Sequence, residues 1–265
     1  LLSPMNPKLL SLALLGAALL PFSAYAADAP AAPKPNAPAA APADPKPAAA
    51  RKPDLSLAPV ADVPGLPRVL LIGDSISMGY TIPVRELLKD VANVHRIPAN
   101  GSDTGTALEK IDGWLLGNPP AKPADGAPAP KWDVIHFNWG LHDLKHWKNG
   151  KLDLAGPQVS SVEQYEKNLR ALVAKLQATG AKLIWCSTTP VPEGSGGRVE
   201  GDEAAYNAAA KRVMEEAKIP TDDLAGFLSS RVTEFQLPHN VHFSAPGYQA
   251  LAEKVAESIR AQLKK

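Results

Sequence analysis

From Val69 onward, short strand-like runs, most of them apolar, alternate with longer segments of helical spacing, and this alternation constrains the fold more than any other feature of the chain. The runs cover residues 69–72, 93–98, 132–139 and 181–189, with a fifth, shorter one inside 219–226. Segments 82–91, 107–116, 160–179 and 202–217 lie between them, a helical segment reaches Phe235, and a last helix runs through Leu263. Leu169, Leu172, Val173 and Leu176, for example, share one face of a helix. Strands without polar alternation are covered on both faces, and strand–helix–strand units of this length join parallel strands. The expectation is an α/β fold: a three-layer α/β/α sandwich around a central, mainly parallel five-stranded sheet. Ligands of such sheets bind beyond the carboxyl ends of the strands.

The first quarter of the chain lies outside that pattern. Lys8 is a charged leader after Met5, residues 9–20 are an apolar run, and Ala24-Tyr25-Ala26 has the small-x-small form of a cleavage site. Residues 1–26 therefore read as a secretory signal peptide that starts at Met5. The run is too short for an ordinary membrane span, and no later stretch reaches about 18 uninterrupted apolar residues. Residues 27–66 are dominated by Ala and Pro and read as a disordered tether of polyproline character. Residues 67–265 remain as one well-cored domain. Residues 117–131, rich in Pro, Ala and Gly, read as a surface insertion. The expected location is the periplasm or the exterior.

Charge and cysteine content exclude several partners. Lys and Arg number 28 against 27 Asp and Glu, and no long basic run exists outside leader and tether, so no nucleic acid is expected. Cys186 is the single cysteine, which rules out an intrachain disulfide and a Cys-based metal cluster. Its place in the apolar run 183–186 is that of a buried thiol.

Ser75 stands where the strand 69–72 breaks at Gly73 and a helix begins. Backbone N–H groups there lack internal partners and point at any oxyanion formed nearby. A bare helix cap is the other reading of that serine. Polar loops also follow later strands, at 99–105 and at 138–143, and a fourth, 238–244, precedes the last helix.

These residues resemble the SGNH (GDSL-type) hydrolases. Gly73-Asp74-Ser75 matches the family's first block. Gly140-Leu141-His142-Asp143 is similar to its Gly-x-Asn-Asp block, and His239-Asn240-Val241-His242 to its Asp-x-x-His block. The glycine of the second block falls at Gly101 or Ser102. The resemblance implies a serine esterase of flavodoxin-like fold, with Ser75 as nucleophile and His242 as general base. It implies an oxyanion hole from the Ser75 N–H, a backbone N–H at Gly101 or Ser102, and a side chain, either His142 at the motif position or the nearby Asn138. Asp74 and Asp143 would fix the two loops.

The chain departs from the family twice. His142 replaces the Asn donor, and His239 occupies the place of the triad's acid. A histidine cannot stabilise an imidazolium as a carboxylate does, so a Ser75–His242 dyad is expected, its base oriented by a backbone carbonyl, Asn240 or a carboxylate from elsewhere. His142, His146 and Trp147 with Lys145 and Lys148 form no recognised metal spacing and read as a solvated rim. No cofactor or metal is implied. An exported carbohydrate O-acetylesterase is the first function expected. A lysophospholipase or thioesterase, and a non-catalytic glycan-binding domain, are the alternatives.

Overall fold

The computed structural model describes residues 54–117 and 131–264. The expected signal peptide, most of the tether and most of the insertion lie outside the described residues. Five strands form one parallel sheet: β1 (Arg68–Ile72), β2 (Asn93–Arg96), β3 (Val134–Phe137), β6 (Lys182–Cys186) and β7 (Thr221–Asp222), in the order β2-β1-β3-β6-β7. A small antiparallel hairpin, β4 (Trp147–Lys148) and β5 (Lys151–Leu152), stands apart from it. β1 is flanked on both sides, and Val69, Leu70, Leu71 and Ile72 are all fully buried. A core leucine of this kind truncated to alanine costs about 2–5 kcal/mol.

Two helix layers sandwich the sheet, as expected. One holds α1 (Ser75–Leu87) against α7 (Ala245–Leu263); the other holds α2 (Thr104–Trp114), α3 (Val162–Gln177) and α4 (Glu203–Ala217) side by side. Two short helices, α5 (Leu224–Leu228) and α6 (Val232–Phe235), precede α7. Each long helix buries one apolar face, such as Leu251, Ala252, Val255, Ala256 and Ile259 of α7. Side-chain caps set the starts of α1, α2, α3 and α7: Asp74, Asp103, Ser161 and Ser244 each accept a first-turn N–H. The chain reverses direction in the sheet between β1 and β3, which puts the loops after those strands on either side of one crevice.

The structure corrects the expected boundaries in two places. The helix that begins at Ser75, as expected, runs unbroken through Pro83 and ends at Leu87 instead of 91, although Gly79 and Pro83 both weaken helix propensity. Gly79 has a packing reason, because a Cβ there would sit 2.0 Å from the Tyr248 ring of α7. The described end of the expected tether, residues 54–66, is ordered against the domain. Asp62 pairs with Arg68 at 2.9 Å and lies 2.6 Å from His95 Nε2, and Asn93 bonds the Val63 backbone through both its amide oxygen and its amide nitrogen. Arg85 donates to the carbonyls of Leu55 and Ala58. Cys186 is buried, and burial pushes its thiol pKa up. Among the described residues no helix is long and apolar enough to cross a membrane.

Candidate active site

The turn from β1 into α1 is built by close approach. A Cβ on Gly73 would meet Ser77 Oγ at 2.8 Å, and one on Gly101 would meet the Gly73 carbonyl oxygen at 2.8 Å. Asp74 Oδ1 accepts the Ile76 N–H at 2.9 Å, fixing the helix start. Arg96, the last residue of β2 and 2% exposed, supports the turn from beneath. Its Nη2 donates to the carbonyls of Gly73 at 2.8 Å and Asp74 at 3.1 Å, and its Nη1 to Ser77 Oγ at 2.6 Å. Burial lowers its pKa to about 10, which still leaves it charged at neutral pH. Ser75 stands half-buried at the first position of α1, where its N–H has no helical acceptor.

The loop before α7 delivers His242 to this serine. Ser75 Oγ and His242 Nε2 are 2.8 Å apart, across 167 positions of sequence. Asn240 Oδ1 accepts the His242 backbone N–H at 3.0 Å and lies 2.8 Å from His242 Nδ1. Because that oxygen already faces a donor, it is an acceptor toward the ring as well, so Nδ1 carries the proton. Nε2 therefore presents its lone pair to the serine hydroxyl, the tautomer a general base needs. Of the three orienting groups open to the sequence reading, Asn240 is the one in place. His239 turns away: it is exposed, at φ +55°, with Nδ1 3.0 Å from the Glu193 carbonyl oxygen.

The loop after β3 carries His142. Gly140 packs against Thr188, whose Oγ1 would be 2.2 Å from a Cβ at that glycine. Asp143 is buried and ties this loop to the start of α2, accepting from the Thr104 N–H at 3.0 Å and from its hydroxyl at 2.6 Å. His142 Nδ1 lies 3.2 Å from Lys145 Nζ. An ammonium only donates, so Nδ1 accepts and Nε2 holds the ring's proton. Burial lowers the His142 pKa; Lys145 and Arg198 lower it further, while Asp74 and Asp103 act against them. The result is a neutral ring with one N–H to offer, the resource an Asn amide would supply.

Three expected oxyanion donors make hydrogen bonds elsewhere. Asn138 gives its amide N–H groups to the Cys186 carbonyl at 2.7 Å and Thr188 Oγ1 at 3.3 Å, so it holds β3 to the loop after β6 and has no free donor. The Gly101 N–H donates to the Gly73 carbonyl at 2.8 Å and braces the serine turn. Ser102, in the left-handed region at φ +52°, donates its N–H to Asn100 Oδ1 at 2.9 Å, a bond to a side chain rather than to fixed backbone. Arg96 is a positioning residue without a role in the sequence analysis, and Lys145, expected in a solvated rim, is half-buried and holds the His142 ring. A cation inside an expected strand of the central sheet, next to the apolar Val94 and Ile97, had to be buried with partners, which was the available signal.

A parallel sheet whose first strand turns into a helix at a serine, paired with a histidine ahead of the last helix, defines an α/β/α hydrolase. The chain belongs to the GDSL-like lipase/acylhydrolase family, whose model matches residues 71–250, and it is an enzyme of the SGNH esterase type. Solved structures share the fold. An acetyl xylan esterase, AlAXEase, is 19% identical with a TM-score of 0.57, over 72% of this chain and 99% of that one. A lipase/acylhydrolase from Enterococcus faecalis is 18% identical with a TM-score of 0.59, over 74% and 97%. Axe2, an acetylxylan esterase from Geobacillus stearothermophilus, is 19% identical with a TM-score of 0.54, over 73% and 94%. No curated protein sequence matches the chain significantly.

Proposed function

We propose that the protein is an exported carbohydrate O-acetylesterase that works through Ser75 and His242. The 2.8 Å contact between Ser75 Oγ and His242 Nε2 carries this reading. His242 takes the serine proton as Oγ attacks the ester carbonyl. The oxyanion is held by the Ser75 N–H and His142 Nε2–H, and by the Ser102 N–H once the Asn100 amide swings aside. Each such donor is worth about 3 kcal/mol in the transition state. The base then passes its proton to the departing alkoxide, leaving an acyl-serine, and water repeats the sequence to release the acid.

Asn240 orients the imidazole without charge, so the imidazolium formed in the transition state lacks a carboxylate's help. The acetyl xylan esterases among the structural neighbours support acetylated glycan as the substrate class. The leader pattern of residues 1–26 supports export, with the segment ahead of residue 54 as a spacer.

The test is hydrolysis of p-nitrophenyl acetate and acetylated xylooligosaccharides by the parent and by Ser75→Ala. We expect release of acetate by the parent and at least a thousandfold loss in the variant. Equal rates would favour a glycan-binding domain without catalysis, and a rate that climbs with acyl chain length would favour a lysophospholipase or thioesterase.

A further inference from the structure

Two cations converge on the peptide that carries His142. Lys145 Nζ reaches His142 Nδ1 at 3.2 Å, and Arg198 Nε donates to the Leu141 carbonyl at 2.9 Å, so the charges flank one residue pair from different loops. Both side chains are half-buried. Among the described residues neither forms an ion pair with a carboxylate, whereas Arg68, Arg170 and Arg212 all do. Burial lowers the Lys145 pKa and the Arg198 charge lowers it further, while the more distant Asp103 and Asp143 pull the other way without pairing with it. Their loops are joined by the His146 N–H, which donates to the Gly197 carbonyl at 2.7 Å. Beside them Trp147 is 41% exposed, with Lys145 Nζ 5.0 Å from its ring centroid.

A half-buried pair of cations with no carboxylate in direct contact costs stability, through lost hydration and repulsion that distant carboxylates offset only in part, unless an anion binds there. We infer that Lys145 and Arg198 form an anion-recognition site beside the oxyanion donor, so that the ester substrate carries a carboxylate, as an acidic sugar does, with the Trp147 ring offering a flat apolar face to that sugar. The planar guanidinium suits a carboxylate, and its Nη2 makes no hydrogen bond within the described residues. This inference rests on the esterase reading for the ester itself, but the charge preference stands on the two cations alone.

The decisive experiment separates the two. The full chain carrying Ser75→Ala is titrated by calorimetry with an acetylated methyl glucuronoside and with the matching acetylated methyl glucoside, which differ in one carboxylate. We expect the glucuronoside to bind at least tenfold more tightly at low salt. That advantage should shrink severalfold in 0.5 M sodium chloride, and likewise when either Lys145→Met or Arg198→Gln is added. Equal affinities, undetectable binding of the glucuronoside at millimolar concentration, or an advantage untouched by salt and by Lys145→Met would each overturn the inference. Because the variant lacks the serine hydroxyl, failure here is independent of whether Ser75 catalyses ester hydrolysis.

Discussion

Asn240 and His242 are joined twice through one oxygen: Asn240 Oδ1 accepts the His242 backbone N–H at 3.0 Å and its Nδ1–H at 2.8 Å. The first bond fixes the amide's orientation, and the second fixes the imidazole's tautomer. Asn240→Ala removes both, and kcat should fall about a hundredfold while KM changes little. Asn240→Asp keeps the acceptor and adds the missing charge. Its kcat should rise about tenfold, corresponding to roughly 1.4 kcal/mol of imidazolium stabilisation. Steady-state kinetics on p-nitrophenyl acetate measure both, and an Asp variant slower than the parent would show that the neutral amide is preferred.

His142 is expected to act through a single N–H. His142→Ala should lower kcat by about 10²–10³ with KM nearly unchanged, the signature of a bond made in the transition state. His142→Asn restores an amide donor and should recover most of that loss. Lys145→Met frees Nδ1 to compete for the ring proton, so its kcat should fall less than that of the alanine variant. An unaltered kcat in His142→Ala would remove the ring from the hole.

Asp143 sets a pH dependence of stability. Burial raises its pKa from 3.8 to about 7 against the pull of the Thr104 hydrogen bonds. Between those values the folded chain keeps a proton that the unfolded chain has released, so this group's contribution to stability falls as pH rises from about 4 to about 7 and is level outside that window. The full change is on the order of 4 kcal/mol. Asp143→Asn does not titrate, so its stability relative to the parent should improve across that window. Urea unfolding at pH 4.5, 6 and 8 gives the comparison, and a constant difference would contradict it.

Arg96 and Gly101 hold the nucleophile turn from two sides. Arg96→Met removes the charged donor shared by the Gly73 and Asp74 carbonyls and the Ser77 hydroxyl, and should cost about 3 kcal/mol or more in urea unfolding. Gly101→Ala forces a methyl to within 2.8 Å of the Gly73 oxygen. It should cost about 1–3 kcal/mol and reduce kcat more than an equally destabilising change in α7. Parent-like kcat in a folded Gly101→Ala would separate this contact from catalysis.

The sheet was legible because its strands are buried on both faces, so Val69 to Ile72 show no polar break. The Ser75–His242 pair was legible because short motifs flank both residues. Asn240 was one of three options, since the family position of the acid falls on His239, and only three-dimensional contacts decide between neighbours in a loop. The choice between Gly101 and Ser102 depends on which N–H is already committed to Gly73, a long-range contact. The hairpin β4–β5 was missed because each strand has two residues, too short for any periodicity. The start of α1 at Ser75 was legible, but its unbroken run into the segment from 82 was not, because Gly79 and Pro83 argue locally against a helix that packing against Tyr248 sustains.

The strap of residues 54–66 grips Arg68 and Asn93, the first residues of β1 and β2, whereas Ser75, Ser102 and His142 follow the last residues of their strands. In parallel strands those are opposite poles. A label, bead or surface fastened ahead of residue 54 would thus pull on the floor of the domain and leave its mouth pointing outward, and a polymer too large to diffuse could still be met at that free pole.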